Sequence, residues 1–165
     1  MQENDAFVTV QKKAEAFLLC KNAVDVFTRN LKEIDEAVKG RIRRQRGENN
    51  LRITLLKEAV NDPAASSTLR RMSALELESC EAATFTATVE EIMEFESAKG
   101  RAYDALHDMD TALREFREAH AAAEAELKKI KNTVIPPTYT RGFEEGIIDR
   151  TVDMWEKRTI SGDFA

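Results

Sequence analysis

The sequence predicts an all-α fold, a long antiparallel coiled-coil hairpin closed by a short third helix. Three observations predict it. Charged residues make up 33% of the 165-residue chain, aromatics only 7%, and there are six glycines and three prolines, a balance that suits long helices and disfavours a β-rich fold. Two apolar seams repeat in alternating three- and four-residue steps, the spacing that keeps one helical face turned toward a partner. The first is Val10, Phe17, Cys20, Val24, Phe27, Leu31, Ile34 and Val38, broken only by Lys13; the second runs from Ile92 through Phe95, Ala102, Leu106, Met109, Leu113, Phe116, Ala123, Leu127 and Ile130 to Val134, broken by Lys99 and His120. The third observation is that the seams match. Phe17 with Met109, Cys20 with Leu106, Val24 with Ala102, Leu31 with Phe95 and Ile34 with Ile92 are pairs whose numbers all add to 126, so antiparallel pairing centres the turn on residue 63, which is Pro63.

The first helix is expected to start near Asp5 and to reach at least Lys39, with Gly40 as a stop signal. Asp35 and Lys39 support its last turns as an ordered ion pair four residues apart. Gly47-Glu48-Asn49-Asn50 is turn-like, so residues 40 to 50 are read as a kink or short break before Leu51, Leu55, Leu56 and Ala59 resume the helical face. At the turn near residues 61 to 66, Asp62 can cap a helix whose first residue is Pro63, with Ser66 or Ser67 as the alternative cap. The second helix is then expected to continue to about Asn132, bending near Gly100, and to stop before Pro136-Pro137. Residues 1 to 135 form the hairpin on this reading. In residues 136 to 165, Phe143, Ile147, Ile148, Val152 and Trp155 make one apolar stripe on a short helix that must pack on something, with Trp155 as its anchor.

Charge is distributed unevenly. Between Lys39 and Arg71 lie nine basic residues, Lys39, Arg41, Arg43, Arg44, Arg46, Arg52, Lys57, Arg70 and Arg71, against Glu48, Glu58 and Asp62; the segment carries +6 in a chain of net charge −5, which leaves −11 elsewhere. Folded about Pro63, the chain becomes a rod with a cationic tip and acidic stems. Such a tip is drawn to an anionic membrane surface or an acidic protein surface and the stems are repelled from both. A solvated face is the competing reading. Nucleic acid is disfavoured by the overall acidity and by the lack of aromatic residues among the arginines.

Chemistry is sparse. Asp104 and His107 share one helical face, but Arg117 stands where a second Glu-x-x-His pair would need its glutamate before His120. No phosphate-binding glycine loop, metalloprotease helix or nucleophile elbow is present. No metal, cofactor or catalytic group is therefore expected, and Cys20 and Cys80 read as small apolar side chains in a reducing compartment. The polar, acidic start and the lack of an apolar run long enough to span a bilayer point to a cytoplasmic protein, or one peripheral on the cytosolic face of a membrane.

The Phe7, Phe17 and Val24 spacing, the Leu55-Leu56 pair, Leu75-Glu76-Leu77-Glu78, the segment from Phe95 to Tyr103, and Ala119 followed by Leu127-Lys128-Lys129 together resemble a BAR domain of the sorting-nexin type over roughly residues 5 to 132. The resemblance implies membrane association in trafficking through a dimer of kinked hairpins. It assigns Arg41, Arg43, Arg44 and Arg46 to lipid headgroups; Arg70 and Arg71 join them from the charge map. The chain leaves room only for a short third helix, where that family has a long one. Leu31, Leu106 and Trp155 are the residues assigned to assembly, as a homodimer or within a larger complex. The alternative function is a coiled-coil scaffold or cytoskeletal-complex subunit whose tip meets protein.

Overall fold

A computed structural model describes residues 2 to 126 and 141 to 162. Among the described residues the chain is all-helical: α1 spans Gln2–Asn61, α2 Ser67–Glu81, α3 Val89–Glu126 and α4 Arg141–Ser161. Two compact units share these helices. Unit one comprises Met1–Ile34 and Met93–Met154; unit two comprises Asp35–Ile92 and Trp155–Ala165.

Unit one is built on the seams. Val10, Phe17, Val24, Leu31 and Ile34 of α1 and Phe95, Ala102, Leu106, Met109, Leu113, Phe116 and Ala123 of α3 are buried, and Ala98 and Ala105 join them. Each large aliphatic or aromatic side chain so covered contributes about 2 kcal/mol of transfer free energy. Val10 packs in one cluster with Phe116 and Ala123, and Lys13 Nζ meets Glu115 Oε2 at 2.7 Å. Cys20, Phe27 and Lys99 are half-buried, the last in a 2.6 Å pair with Glu96. Leu127, Ile130, Val134 and the end of the second helix expected near Asn132 lie outside the described residues, as does Pro136-Pro137. α4 adds Ile148 and Val152 to this core, and Tyr103 Oη donates to Asp149. Phe143 does not follow its stripe and stays exposed, whereas its neighbour Glu144 is buried.

Unit two departs from the expected element boundaries in three places. α1 runs unbroken through Gly40 and Gly47 instead of stopping or kinking over residues 40 to 50. Val38 and Ile42 are buried on either side of Gly40, and Asn49 donates its side-chain amide to Cys80 O at 2.9 Å, so tertiary contacts override the modest helical penalty of two glycines and an asparagine. At the turn, Asp62 caps no helix: its carboxylate accepts the Ala64 N–H, and Ser66 is the N-cap of α2, accepting from Leu69 N at 3.1 Å. Pro63 thus belongs to the turn, and the serine alternative holds. The largest correction is that the long second helix is two helices. Residues 82 to 88 interrupt it, and α3 restarts from a reciprocal cap in which Thr88 Oγ1 accepts the Glu91 N–H and Glu91 Oε2 accepts the Thr88 N–H. The C-terminal helix is consequently the fourth, not the third.

Contacts in unit two run in antiparallel order. Arg41 meets Glu91, Asn49 meets Cys80 and Arg52 meets Glu76. Its buried centre is small: Val38, Ile42 and Trp155, with Asp35 held between Arg158 and Lys39. Arg158 makes a forked contact with both Asp35 oxygens, at 2.5 and 3.0 Å, and Lys39 Nζ reaches Oδ2 at 3.0 Å. A carboxylate with so little exposure is costly to bury unless both of its oxygens are paired in this way.

Candidate anionic-surface interface

The basic segment of unit two divides into spent and outward-facing cations. Arg41 is spent. Its Nε and Nη2 hold the two oxygens of Glu91 at 2.6 and 2.7 Å, Nη1 donates to Gln45 Oε1 and Nη2 also donates to Thr86 O. This fork ties the residue 82 to 88 connection and the first turn of α3 to α1. Burial pushes the Glu91 carboxyl up, but the hydrogen bonds from Arg41 and Thr88 and the Arg41 charge outweigh it, so the carboxyl sits below its ordinary range; the same hydrogen bond raises the Arg41 guanidinium.

Arg46 is spent differently. It is half-buried and its Nη2 donates to Gly162 O at 3.1 Å, just beyond the last turn of α4. Gly162 has φ +68, the left-handed conformation in which helices commonly end, and a Cβ there would lie 3.3 Å from the Thr86 methyl carbon. A shallow groove of about 400 Å³ opens beside this contact. It lies against a helix C-terminus, whose carbonyls favour cations, and Arg46 already fills that role.

Arg43 and Arg44 on α1, and Arg70 and Arg71 in the first turns of α2, are exposed, and among the described residues none of these four side chains makes a hydrogen bond or ion pair. Arg52 and Lys57 are paired across to α2, with Glu76 and with Glu81 at 3.0 Å, but both pairs are half open to solvent and are worth at most about 1 kcal/mol each. Five apolar side chains on the same two helices are also exposed, and Leu69 and Met72 flank Arg70 and Arg71. Leu51, Leu55, Leu69, Met72 and Leu75 are 63%, 56%, 51%, 64% and 63% exposed, and between residues 43 and 92 the only buried side chain is Ser73. The charge pattern marks the arginines. The apolar spacing reads Leu51 and Leu55 as core-facing, because periodicity marks a face without saying whether a partner covers it.

The other assigned residues fall elsewhere. Leu31 and Leu106 are wholly buried in unit one, and Trp155 is 1% exposed in unit two, so all three serve the interior of the chain. Asp104 and His107 are exposed, and among the described residues no three of His, Cys, Asp and Glu come together as a metal site would need. Cys20 lines a shallow groove of about 210 Å³ with Asp104 and Asp108; burial, and next the Asp108 charge, push its thiol up, the wrong direction for a nucleophile. Glu144 is held up by burial, then by the Asp25 charge, against the opposing charge of Lys21. Among the described residues no helix is long and apolar enough to cross a membrane. Compared with protein-family models, curated proteins and solved structures, the chain matches none.

Proposed function

We propose that this protein is a non-catalytic, BAR-like trafficking protein that docks on anionic membrane surfaces through the exposed basic and apolar side chains of unit two. One observation carries the reading: unit two exposes four arginines without ion-pair partners among the described residues, Arg43 and Arg44 on α1 and Arg70 and Arg71 on α2, together with five apolar side chains that are more than half exposed, of which Leu69 and Met72 flank Arg70 and Arg71. Basic residues near an anionic bilayer contribute about 1 kcal/mol each, and apolar side chains then add affinity by entering the headgroup and acyl boundary. An acidic protein surface would satisfy the charges but gives Leu69 and Met72, which flank Arg70 and Arg71 in sequence, no equally general place to go. Antiparallel ordering of contacts in each unit supports the coiled-coil hairpin that would present these side chains, and the interior placement of Leu31, Leu106 and Trp155 supports a hairpin stable without a partner.

Co-sedimentation with phosphatidylserine-containing vesicles across a salt series tests the reading. Binding is expected at low salt, weaker at high salt, absent with neutral vesicles and lost in the Arg43→Glu, Arg44→Glu, Arg70→Glu, Arg71→Glu variant. No binding to anionic vesicles at low salt overturns it and leaves the scaffold or cytoskeletal-subunit reading, in which the same side chains meet protein.

A further inference from the structure

In unit one, α1 carries a second stripe on the side that α3 leaves open. Gln11, Glu15, Leu18, Asn22, Val26, Arg29 and Glu33 share it within small angular scatter, with Leu19 on its flank. Leu18, Leu19 and Val26 are 53%, 71% and 57% exposed, and Gln11, Glu15, Asn22, Arg29 and Glu33 are exposed as well. The successive steps from Gln11 to Glu33 are four, three, four, four, three and four residues, so the stripe has the same spacing in either direction from Asn22. Its chemistry is complementary about that centre. Leu18 lies on one side of Asn22 and Val26 at the same distance on the other; farther out, Glu15 lies opposite Arg29 and Gln11 opposite Glu33.

We propose that this face is a homodimer interface, in which α1 helices of two copies pack antiparallel about a two-fold axis at Asn22. A two-fold contact joins a surface patch to itself, so residues at equal distances on either side of the axis must suit each other. The register meets that demand. Leu18 of each copy covers Val26 of the other, Leu19 widens the apolar rim, Glu15 meets Arg29, and the Gln11 amide can donate to Glu33. Asn22 meets Asn22 on the axis, where each side-chain amide can donate to the other's carbonyl oxygen, a reciprocal pair that fixes register at some cost in affinity. A parallel pair would set Glu15 on Glu15 and Arg29 on Arg29. An anionic membrane is a poor occupant, because Glu15, Asp25 and Glu33 lie on or beside the stripe. The inference is independent of the membrane reading, since it uses neither the unit-two arginines nor their neighbours.

Sedimentation equilibrium of the full chain at low salt tests it, with circular dichroism confirming helicity for every variant. The wild type is expected to dimerise reversibly. Asn22→Asp keeps the side chain's shape but sets two carboxylates face to face at the axis, and should weaken the dimer by about tenfold or more without loss of helicity, since Asn22 is exposed in the single chain. Arg29→Glu should weaken it too, and Glu15→Arg combined with Arg29→Glu should restore it, because the swapped charges meet again across the axis. A wild type that stays monomeric at hundreds of micromolar overturns the proposal. So does a dimer indifferent to Asn22→Asp at neutral pH, or a helical double swap that fails to recover association.

Discussion

Two stretches of α1 obey the same helical periodicity and end in different surroundings. Over residues 10 to 42 most seam positions are buried, whereas over residues 43 to 61 none is, although Leu51 and Leu55, both exposed, and Leu56, half-buried, continue an apolar pattern. The difference lies in what is packed alongside. The first stretch is covered by large side chains of α3 and, near its end, by Trp155 of α4, while the second has only α2, whose single buried side chain is Ser73. Apolar spacing therefore serves stability in one stretch and leaves apolar surface exposed in the other.

The sharpest way to break this contrast is a matched pair of substitutions. Leu106→Asp places a carboxylate where the native side chain is wholly buried and should cost more than about 4 kcal/mol, enough to abolish cooperative melting, whereas Leu55→Asp should cost less than about 0.5 kcal/mol. Equal losses in thermal melts would refute the division. Among ion pairs, Asp35→Ala removes the buried carboxylate that Arg158 forks and Lys39 also reaches and should cost about 3 kcal/mol in urea unfolding, while Arg52→Ala should cost under about 1 kcal/mol because its pair is exposed.

Acid acts with opposite sign on one carboxyl in each unit. Glu91 in unit two has a lowered folded-state value, so its stabilisation is present above the unfolded carboxyl range and is lost as pH falls through the folded value. Glu144 in unit one has a raised value, so the fold favours its protonated form and forfeits that stability as pH rises through the folded value. Glu144→Gln should therefore stabilise the protein at neutral pH, by less than about 1 kcal/mol, with the advantage vanishing in acid; a deficit at neutral pH in chemical denaturation contradicts it. Gly47→Ala should add about 0.8 kcal/mol, since nothing lies within 4 Å of a Cβ there and the backbone is helical. The smallest stability effect belongs to Leu69→Ser with Met72→Ser, within about 0.5 kcal/mol, although vesicle binding should fall.

The class of fold and much of the unit-one core were legible in the sequence because Val10, Phe17, Leu31, Leu106 and Phe116 repeat on one face over many turns. Less legible were features decided by short-range or long-range detail. Thr88 and Glu91 stood in the sequence as a capping pair, yet the seam running through Ile92 and Phe95 masked the break before them. Gly40 and Gly47 looked like breakers, but a helix paired along its length tolerates glycines that a free one does not. Of the candidate interface, the arginines were visible as composition. That Arg41 and Arg46 would be consumed by Glu91 and Gly162 depends on residues 50 and 116 positions away, which no local pattern carries.

Because α1 is one uninterrupted helix with two kinds of surroundings, it is also a clock with two speeds. Its backbone amides all make the same kind of bond, so differences in deuterium uptake along it report how often each part opens, not how it is built. Amides between Val10 and Ile42 should exchange only when unit cores open, and those between Leu51 and Asn61 orders of magnitude sooner. A docked surface that covers Leu51 and Leu55 would slow the fast end alone, giving a footprint of the partner without any label on the protein.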